Sequence, residues 1–338
     1  MSAHKKVLIV GTGGFIGSWL VEEALARGYD VWAGIRRSTS KKWIDRPGVS
    51  FLYLDFENPA SLPSVLSTAL PPGERWDYIV YNLGATKCLR FADFSHINYD
   101  YLRSFTDALH SAGMEPEKLL YMSSLSVMGP GDEKTYRPFD EKMVPQPNTR
   151  YGASKLKAEM WLATCGIPHI IFRPTGLYGP RDHDYFLMLE SIAKGFDFSV
   201  GYRRQSLTFL YAGDLARAVF DAWEKAPAGR TYCLAEGRSY SQKEFRDIAR
   251  RLMGRRLVVP VRMPLWAVKA VSAIAEKWGV ARLKPSTLNR DKYRIMKQRN
   301  WNVDSSAAHR DFGFSPRVSL EEGLRQSIDW YKANDWLK

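Results

Sequence analysis

The chain has 338 residues, 45% of them apolar, and no low-complexity tract or internal repeat, which excludes a disordered or fibrous protein and leaves material for one large or two modest domains. Its formal net charge of +13 comes from lysines and arginines spread along the chain and densest over residues 282–299. With no arginine-rich tail and no nucleic-acid module, that charge reads as solubility plus attraction for a phosphate-bearing ligand, not as nucleic-acid binding. Cys88, Cys165 and Cys233 are far apart, odd in number and without metal-ligand spacing, which fits free thiols in a reducing compartment. The first apolar run, residues 7–10, is of strand length rather than a signal sequence, so a cytoplasmic location and no bound metal are expected.

That first strand runs into Gly11-Thr12-Gly13-Gly14-Phe15-Ile16-Gly17 and then a helical pattern carried by Trp19, Leu20, Ala24 and Leu25. Strand, glycine turn and helix together present unpaired N–H groups and a positive dipole end to a phosphate. Gly11 permits the tight turn, Gly14 lets a pyrophosphate approach the backbone, and Gly17 lets helix and strand pack closely. A plain strand–turn–helix is the competing reading, and dinucleotide binding is favoured over it. Further strands are expected at 30–35, 49–55, 77–81, 119–122 and 169–173, with helices at 62–70, 99–112 and 152–164. Strands alternating with helices, several of them apolar on both faces, predict an α/β doubly wound parallel sheet with its ligand crevice at the carboxyl ends of the strands.

Beyond Pro174 the alternation stops. Residues 176–201 read as turn-rich with one helix at 185–195, 214–225 as an amphipathic helix, and helices dominate from 241 onward. These pieces predict a smaller, mostly helical C-terminal substrate region closing over the crevice. Residues 264–281 are apolar apart from Lys269, Glu276 and Lys277, too charged to cross a membrane. A buried helix lining the substrate pocket is the expectation there, and contact with a membrane surface the minor alternative. Trp266, Trp278, Tyr293 and Trp301 read as pocket lining or ordinary core.

The second strand ends in Arg36-Arg37, with no acid before Asp45. A carboxylate at this place accepts from a ribose 2′-hydroxyl, whereas a guanidinium pairs with a 2′-phosphate, so NADP(H) is preferred and NAD(H) is the alternative. A solvated arginine pair is the bland reading. Asp55 reads equally as an acceptor from the adenine amino group and as a strand-end cap. Downstream, Tyr151 and Lys155 stand one turn apart on one helical face. A neighbouring cation lowers a phenol's pKa and makes tyrosine a usable proton carrier. Ser123 and Ser124 follow the fifth strand, where a serine hydroxyl could polarise a substrate carbonyl. Alone, such a tyrosine and lysine are usually a surface pair; their weight comes from standing behind a fifth strand in a chain that opens with a dinucleotide turn.

With these residues in place the chain resembles the extended short-chain dehydrogenases/reductases, the NAD(P)-dependent epimerase/dehydratase superfamily. Gly11-x-x-Gly14-x-x-Gly17 is similar to the family's cofactor turn, Asn82-Leu83-Gly84-Ala85 to its fourth-strand loop, and Asn98 to the asparagine of the next helix. Ser124-Leu125-Ser126-Val127-Met128-Gly129 resembles its serine segment, Tyr151 with Lys155 its catalytic pair, and Arg173-Pro174-Thr175-Gly176-Leu177-Tyr178-Gly179-Pro180 the segment beside the nicotinamide. The stretch from Phe312 to Gly323 is also family-like. The resemblance implies a dinucleotide-binding (Rossmann) domain over 1–175, to which 207–232 return, and a substrate-binding region from 176–206 and 233–338. It implies Ser124, Tyr151 and Lys155 as catalytic. Cofactor contacts are expected from Gly11, Gly14, Phe15, Ile16, Gly17, Arg36, Arg37, Asp55, Phe56, Gly84, Ala85, Asn98, Ser123, Pro174 and Thr175, besides Tyr151 and Lys155. A homodimer is implied by the resemblance alone, since no seam is legible.

Within the superfamily, the sugar 4,6-dehydratases carry an Asp-Glu pair where this chain has Leu125-Ser126. Nucleotide-sugar epimerases usually read Arg-Tyr-Phe-Asn where it has Arg173-Pro174-Thr175-Gly176. Gly14-Phe15-Ile16-Gly17-Ser18-Trp19-Leu20-Val21 and Arg36 look like the dihydroflavonol-reductase and 3β-hydroxysteroid-dehydrogenase branch. The expected function is therefore an NADP(H)-dependent oxidoreductase moving hydride to or from a carbonyl or alcohol of a small, relatively apolar substrate. The alternatives are a nucleotide-sugar epimerase with tightly held NAD and a non-catalytic NADP-binding module, the last opposed by the complete Ser/Tyr/Lys set.

Overall fold

The computed structural model describes residues 4–283, 286 and 288–337. In chain order the first half runs β1 (Lys6–Val10), α1 (Phe15–Ala26), β2 (Asp30–Ile35), β3 (Val49–Tyr53), α2 (Leu62–Ser67), β4 (Tyr78–Tyr81), α3 (Phe91–Ser95), α4 (Tyr101–Ala112), β5 (Lys118–Met122), α5 (Arg150–Leu162) and β6 (His169–Pro174). There follow β7 (Gly176–Tyr178), α6 (Asp184–Ala193), β8 (Phe196–Val200), β9 (Leu207–Tyr211), α7 (Ala212–Lys225), β10 (Arg230–Leu234), β11 (Ser239–Tyr240), α8 (Gln242–Leu252) and β12 (Val259–Met263). The chain closes with α9 (Leu265–Ala281), α10 (Arg290–Lys297), α11 (Ser306–Phe312) and α12 (Leu320–Ala333).

Seven strands form one sheet in the order β10-β6-β5-β4-β1-β2-β3, every neighbour parallel. The reason is visible in β1, whose Val7 and Ile9 join one hydrophobic cluster while Leu8 and Val10 join another on the opposite face. The first cluster includes residues of α1, α7 and α11, and the second residues of α2, α4 and α5. An apolar strand buried on both faces needs helices on both, which the crossovers supply. The chain order reverses between β1 and β4, so the loops after these strands open into the crevice where α/β sheets bind ligands.

The second lobe differs from the expected turn-rich 176–201. It holds β7, parallel to β9, which also pairs antiparallel with β11, and β8, parallel to β12. These strands are short and their partners distant in sequence, so no local period reveals them. In β8 the pattern is also inverted: Asp197 points inward, accepting from Gln242 Nε2 at 2.8 Å, while Phe196 and Phe198 face out. β9 belongs to this small sheet, whereas α7 packs on α1 and β10 closes the main sheet.

The helix expected to be buried at 264–281 is instead largely exposed. Only Val268 and Ser272 of α9 are buried, while Trp266 is 74% and Trp278 60% exposed. The helix rests on α10 along one narrow stripe, and nothing among the described residues covers its other side. Of the four aromatics read as pocket lining, Trp301 packs beside Leu125, Val127 and Met128, next to Ser124. No helix among the described residues is long and apolar enough to cross a membrane.

Candidate active site

The glycine turn joins β1 to α1 with Gly11 at φ +88°, its N–H bonded to Gly34 O at 2.9 Å and its carbonyl accepting from Asn82 Nδ2 at 3.2 Å. A Cβ on Gly17 would lie 2.4 Å from Gly11 O, so the helix approaches the strand only because that position is glycine. Gly14 is the N-cap of α1, without a side-chain cap, without an acid in the first turn, and with open space where its Cβ would point. Phe15 and Ile16, half-buried, open the helix. Thr12 Oγ1 is buried beneath the turn without a hydrogen-bond partner among the described residues. Uncapped N–H groups at a positive helix end, bordered by free volume, suit an anionic pyrophosphate, and the residues present fit a dinucleotide.

At the end of β2, Arg36 and Arg37 are both exposed. Arg37 lies over the Tyr53 ring at 5.0 Å, and Lys41 Nζ over Phe51 at 4.0 Å. Glu57 is held below the usual carboxylate range, chiefly by the Tyr101 hydroxyl and in smaller part by Arg36. Asp55 Oδ1 accepts from Glu57 N at 3.1 Å, the strand-end cap weighed for it above. Phe56 is core: its ring is buried and stacks on Tyr101 at 5.0 Å.

The centre is assembled from the ends of β4 and β5 and the first turns of α5. Thr149 caps α5 by accepting from Gly152 N at 3.0 Å, which fixes where Tyr151 and Lys155 emerge. Ser124, at the start of a single 3₁₀ turn, accepts from Ser126 N at 3.2 Å, and its hydroxyl favours the ionised form of the Tyr151 phenol. Lys155 Nζ donates to Met122 O at 2.8 Å and lies 4.7 Å from the Tyr121 ring. Asn98 sits fully buried in a π-helical turn, His96–Asp100, ahead of α4. It accepts from Ala85 N at 2.8 Å and donates to Ala85 O at 3.1 Å and Ser154 Oγ at 2.9 Å. A Cβ on Gly84 would fall 2.8 Å from Lys155 Nζ, so that glycine leaves the ammonium its room. Asn98 thus ties Ala85 to Ser154 of α5, with Gly84 set close against Lys155.

Burial sets both values here. It pushes the Tyr151 phenol up to about 12, partly offset by Ser124, and drives Lys155 down to about 7 against the attraction of Glu159. The expected lowering of the tyrosine by its lysine is therefore not what the geometry produces. Both shifts have one origin, the cost of carrying charge away from water.

Ser123 turns away from the crevice, and its hydroxyl donates to Glu159. Glu159 in turn accepts from Arg173, whose Nη2 lies 2.6 Å away, and both side chains are sealed from solvent. The sequence reading did not single out Glu159, although its position four residues after Lys155 puts it on the same helical face. Pro174 and Thr175 are buried, and the Thr175 hydroxyl shares a 2.8 Å hydrogen bond with that of Thr208. Asp184 of the second lobe takes Lys87 Nζ at 2.7 Å and Lys292 Nζ at 3.3 Å, tying the loop after β4 to α6 and α10.

Residues 7–235 match the family model described as NAD dependent epimerase/dehydratase family. Over 99% of its length the chain is 22% identical to a protein named ceramide reductase from Caulobacter vibrioides, covering 97% of that protein. Over 98% it is 23% identical to a dTDP-glucose 4,6-dehydratase of Neisseria meningitidis, covering 94%. Among solved structures it is similar to the Bordetella bronchiseptica enzyme WbmG in complex with NAD and UDP, with a TM-score of 0.77 and 18% identity over 99% of this chain and 97% of that one. The glycine turn, the seven-stranded parallel sheet and the family match over two-thirds of the chain agree: this protein is an enzyme of the NAD dependent epimerase/dehydratase family, of the extended short-chain dehydrogenase/reductase type.

Proposed function

We propose that this enzyme is an NADP(H)-dependent oxidoreductase that moves hydride to or from the carbonyl or alcohol of a small, relatively apolar substrate. The observation that carries the reading is the grouping of Ser124, Tyr151 and Lys155 at the carboxyl end of the sheet. Leu125, beside that serine, is buried, so no carboxylate stands there to expel water. When bound, the nicotinamide supplies the hydride or takes it up. Tyr151 Oη holds the proton for the substrate oxygen, and Ser124 Oγ hydrogen-bonds that oxygen. Lys155 keeps N–H groups beyond the one given to Met122, and its charge stabilises the phenolate left after proton transfer. Arg36, with Arg37 and Lys41 nearby, supports a 2′-phosphate on the cofactor. Likeness along nearly the full length to a protein named a ceramide reductase supports reduction and an apolar substrate.

A second reading, nucleotide-sugar epimerisation with tightly held NAD, is favoured by the likeness to dTDP-glucose 4,6-dehydratases and to a structure holding NAD and UDP. The purified protein separates the two. Release of NADP on denaturation and net NADPH consumption with long-chain aldehydes or ketones support the first. Retained NAD with interconversion of UDP- or dTDP-sugars and no net NADPH turnover overturns it.

A further inference from the structure

The helix α9 seats only a narrow stripe, Val268 and Ser272, with Glu276 held there by Arg150 Nη1 at 3.3 Å and Arg290 N at 3.0 Å. Opposite that stripe stand Trp266, Ala270, Ile274 and Trp278, four residues apart in succession and all exposed. Two tryptophans with bare faces on one helix are costly in water and suit a boundary between water and hydrocarbon, where the ring is apolar and the indole N–H stays wet. Further exposed apolar side chains stand on β8, where Phe196 and Phe198 stack at 6.2 Å, and a Cβ on Gly201, just past that strand, would lie 3.7 Å from Leu265 of α9.

The charge around this face has one sign. Arg262 on the strand before α9, Lys269 and Lys277 on it and Arg282 at its end are all exposed, and the one acid of α9, Glu276, is already paired on the inner side. A second copy of the chain meeting this face symmetrically would set those cations against themselves. A bilayer carrying anionic headgroups matches both the apolar centre and the positive border, with the long basic side chains reaching back to the phosphates.

We propose that the outward face of α9, with its basic border, docks the enzyme on the surface of an anionic lipid bilayer. The helix would lie in the interface without crossing it. The proposal stands apart from the reaction and holds whichever substrate the crevice takes.

The test is co-sedimentation of the full chain with vesicles of phosphatidylcholine, with and without phosphatidylglycerol. The protein is expected to pellet with the phosphatidylglycerol vesicles, less as salt rises, and its tryptophan emission to shift to the blue on binding. The paired substitutions Trp266→Ser and Trp278→Ser should weaken that binding by about tenfold or more while leaving the melting temperature and NADPH binding unchanged. Lys269→Glu with Lys277→Glu should weaken it on the anionic vesicles alone. Absence of binding to either vesicle, or binding undiminished in the tryptophan variant, overturns the proposal. So does sedimentation velocity showing a dimer that the tryptophan variant dissolves, which would make a second copy the occupant.

Discussion

Arg173 of β6 holds Glu159 of α5 by three contacts, Nε to Oε1 at 3.1 Å, Nε to Oε2 at 3.2 Å and Nη2 to Oε2 at 2.6 Å, inside the protein and directly beneath Ser123. The pair joins the active-site helix to the neighbouring strand of the sheet. Removing one partner strands a charge away from water. Glu159→Ala should therefore cost about 3–5 kcal/mol of stability, whereas Glu159→Leu with Arg173→Met should recover most of it. Urea unfolding of the two variants measures the difference; equal losses in both would mean that the pair's geometry, not its charge, is what counts.

Lys155 should trade stability for chemistry. Its pKa in the folded protein is about 7, below the ordinary 10.5 that it regains on unfolding. Between those values the unfolded chain binds more protons, so stability from this group rises with pH and is lost as pH falls through about 7. Lys155→Met should raise the unfolding free energy read from urea titration at pH 7 by about 0.5–2 kcal/mol and flatten the rise in stability toward pH 10. Reductase turnover should vanish in the same variant.

Tyr151→Phe removes one oxygen and leaves the ring in place. Turnover should fall by about 10²–10⁴-fold, with NADPH binding and melting temperature unchanged. Stopped-flow fluorescence of NADPH consumption reads the step directly. Undiminished turnover would take the proton from some other group.

Arg36→Ala should weaken NADPH by about ten- to a hundredfold, the value of a charge-assisted contact, and leave NADH within about twofold. Titration calorimetry with both cofactors measures it. Equal loss for both would place Arg36 against a part of the cofactor common to the two.

Much of this architecture was legible because the physics involved is local. The second strand runs from Asp30 to Ile35 as read, since a run of apolar residues bounded by a glycine turn and two arginines leaves little choice. Tyr151 and Lys155 stand out by helical spacing behind a fifth strand, whereas Ser124 is singled out among the serines after that strand by the family resemblance alone. What escaped the reading depends on partners remote in the chain. β8 is recognisable only beside β12, and its outward phenylalanines invert the usual pattern. The apolar composition of α9 cannot tell a buried helix from a bare one, because composition carries no record of what covers a face. Glu159 and Arg173 look like surface residues until the fold buries them together. Asn98 is named by the resemblance, but the π-turn that holds it, an extra residue in a helical pattern, is not revealed by spacing at 3.6. The shift of Tyr151 escaped for a related reason: its direction depends on how deeply the site is closed.

The edge of the main sheet has a consequence for how the protein is made. β10, which pairs with β6 from Arg230 opposite Ile170 to Leu234 opposite Pro174, is reached only after the chain has left the sheet, built β7 through β9 and returned. Until it emerges from the ribosome, β6 has an open edge that includes the His169 carbonyl, later taken by Gly229 N at 2.7 Å, while Phe172 O on the other edge is already bonded to Ser123 N. The main sheet is thus complete only once the chain has passed through the second lobe. A chain halted after Pro174 would hold every glycine of the opening turn, and Tyr151 and Lys155 as well, yet expose a sticky margin in place of a finished sheet.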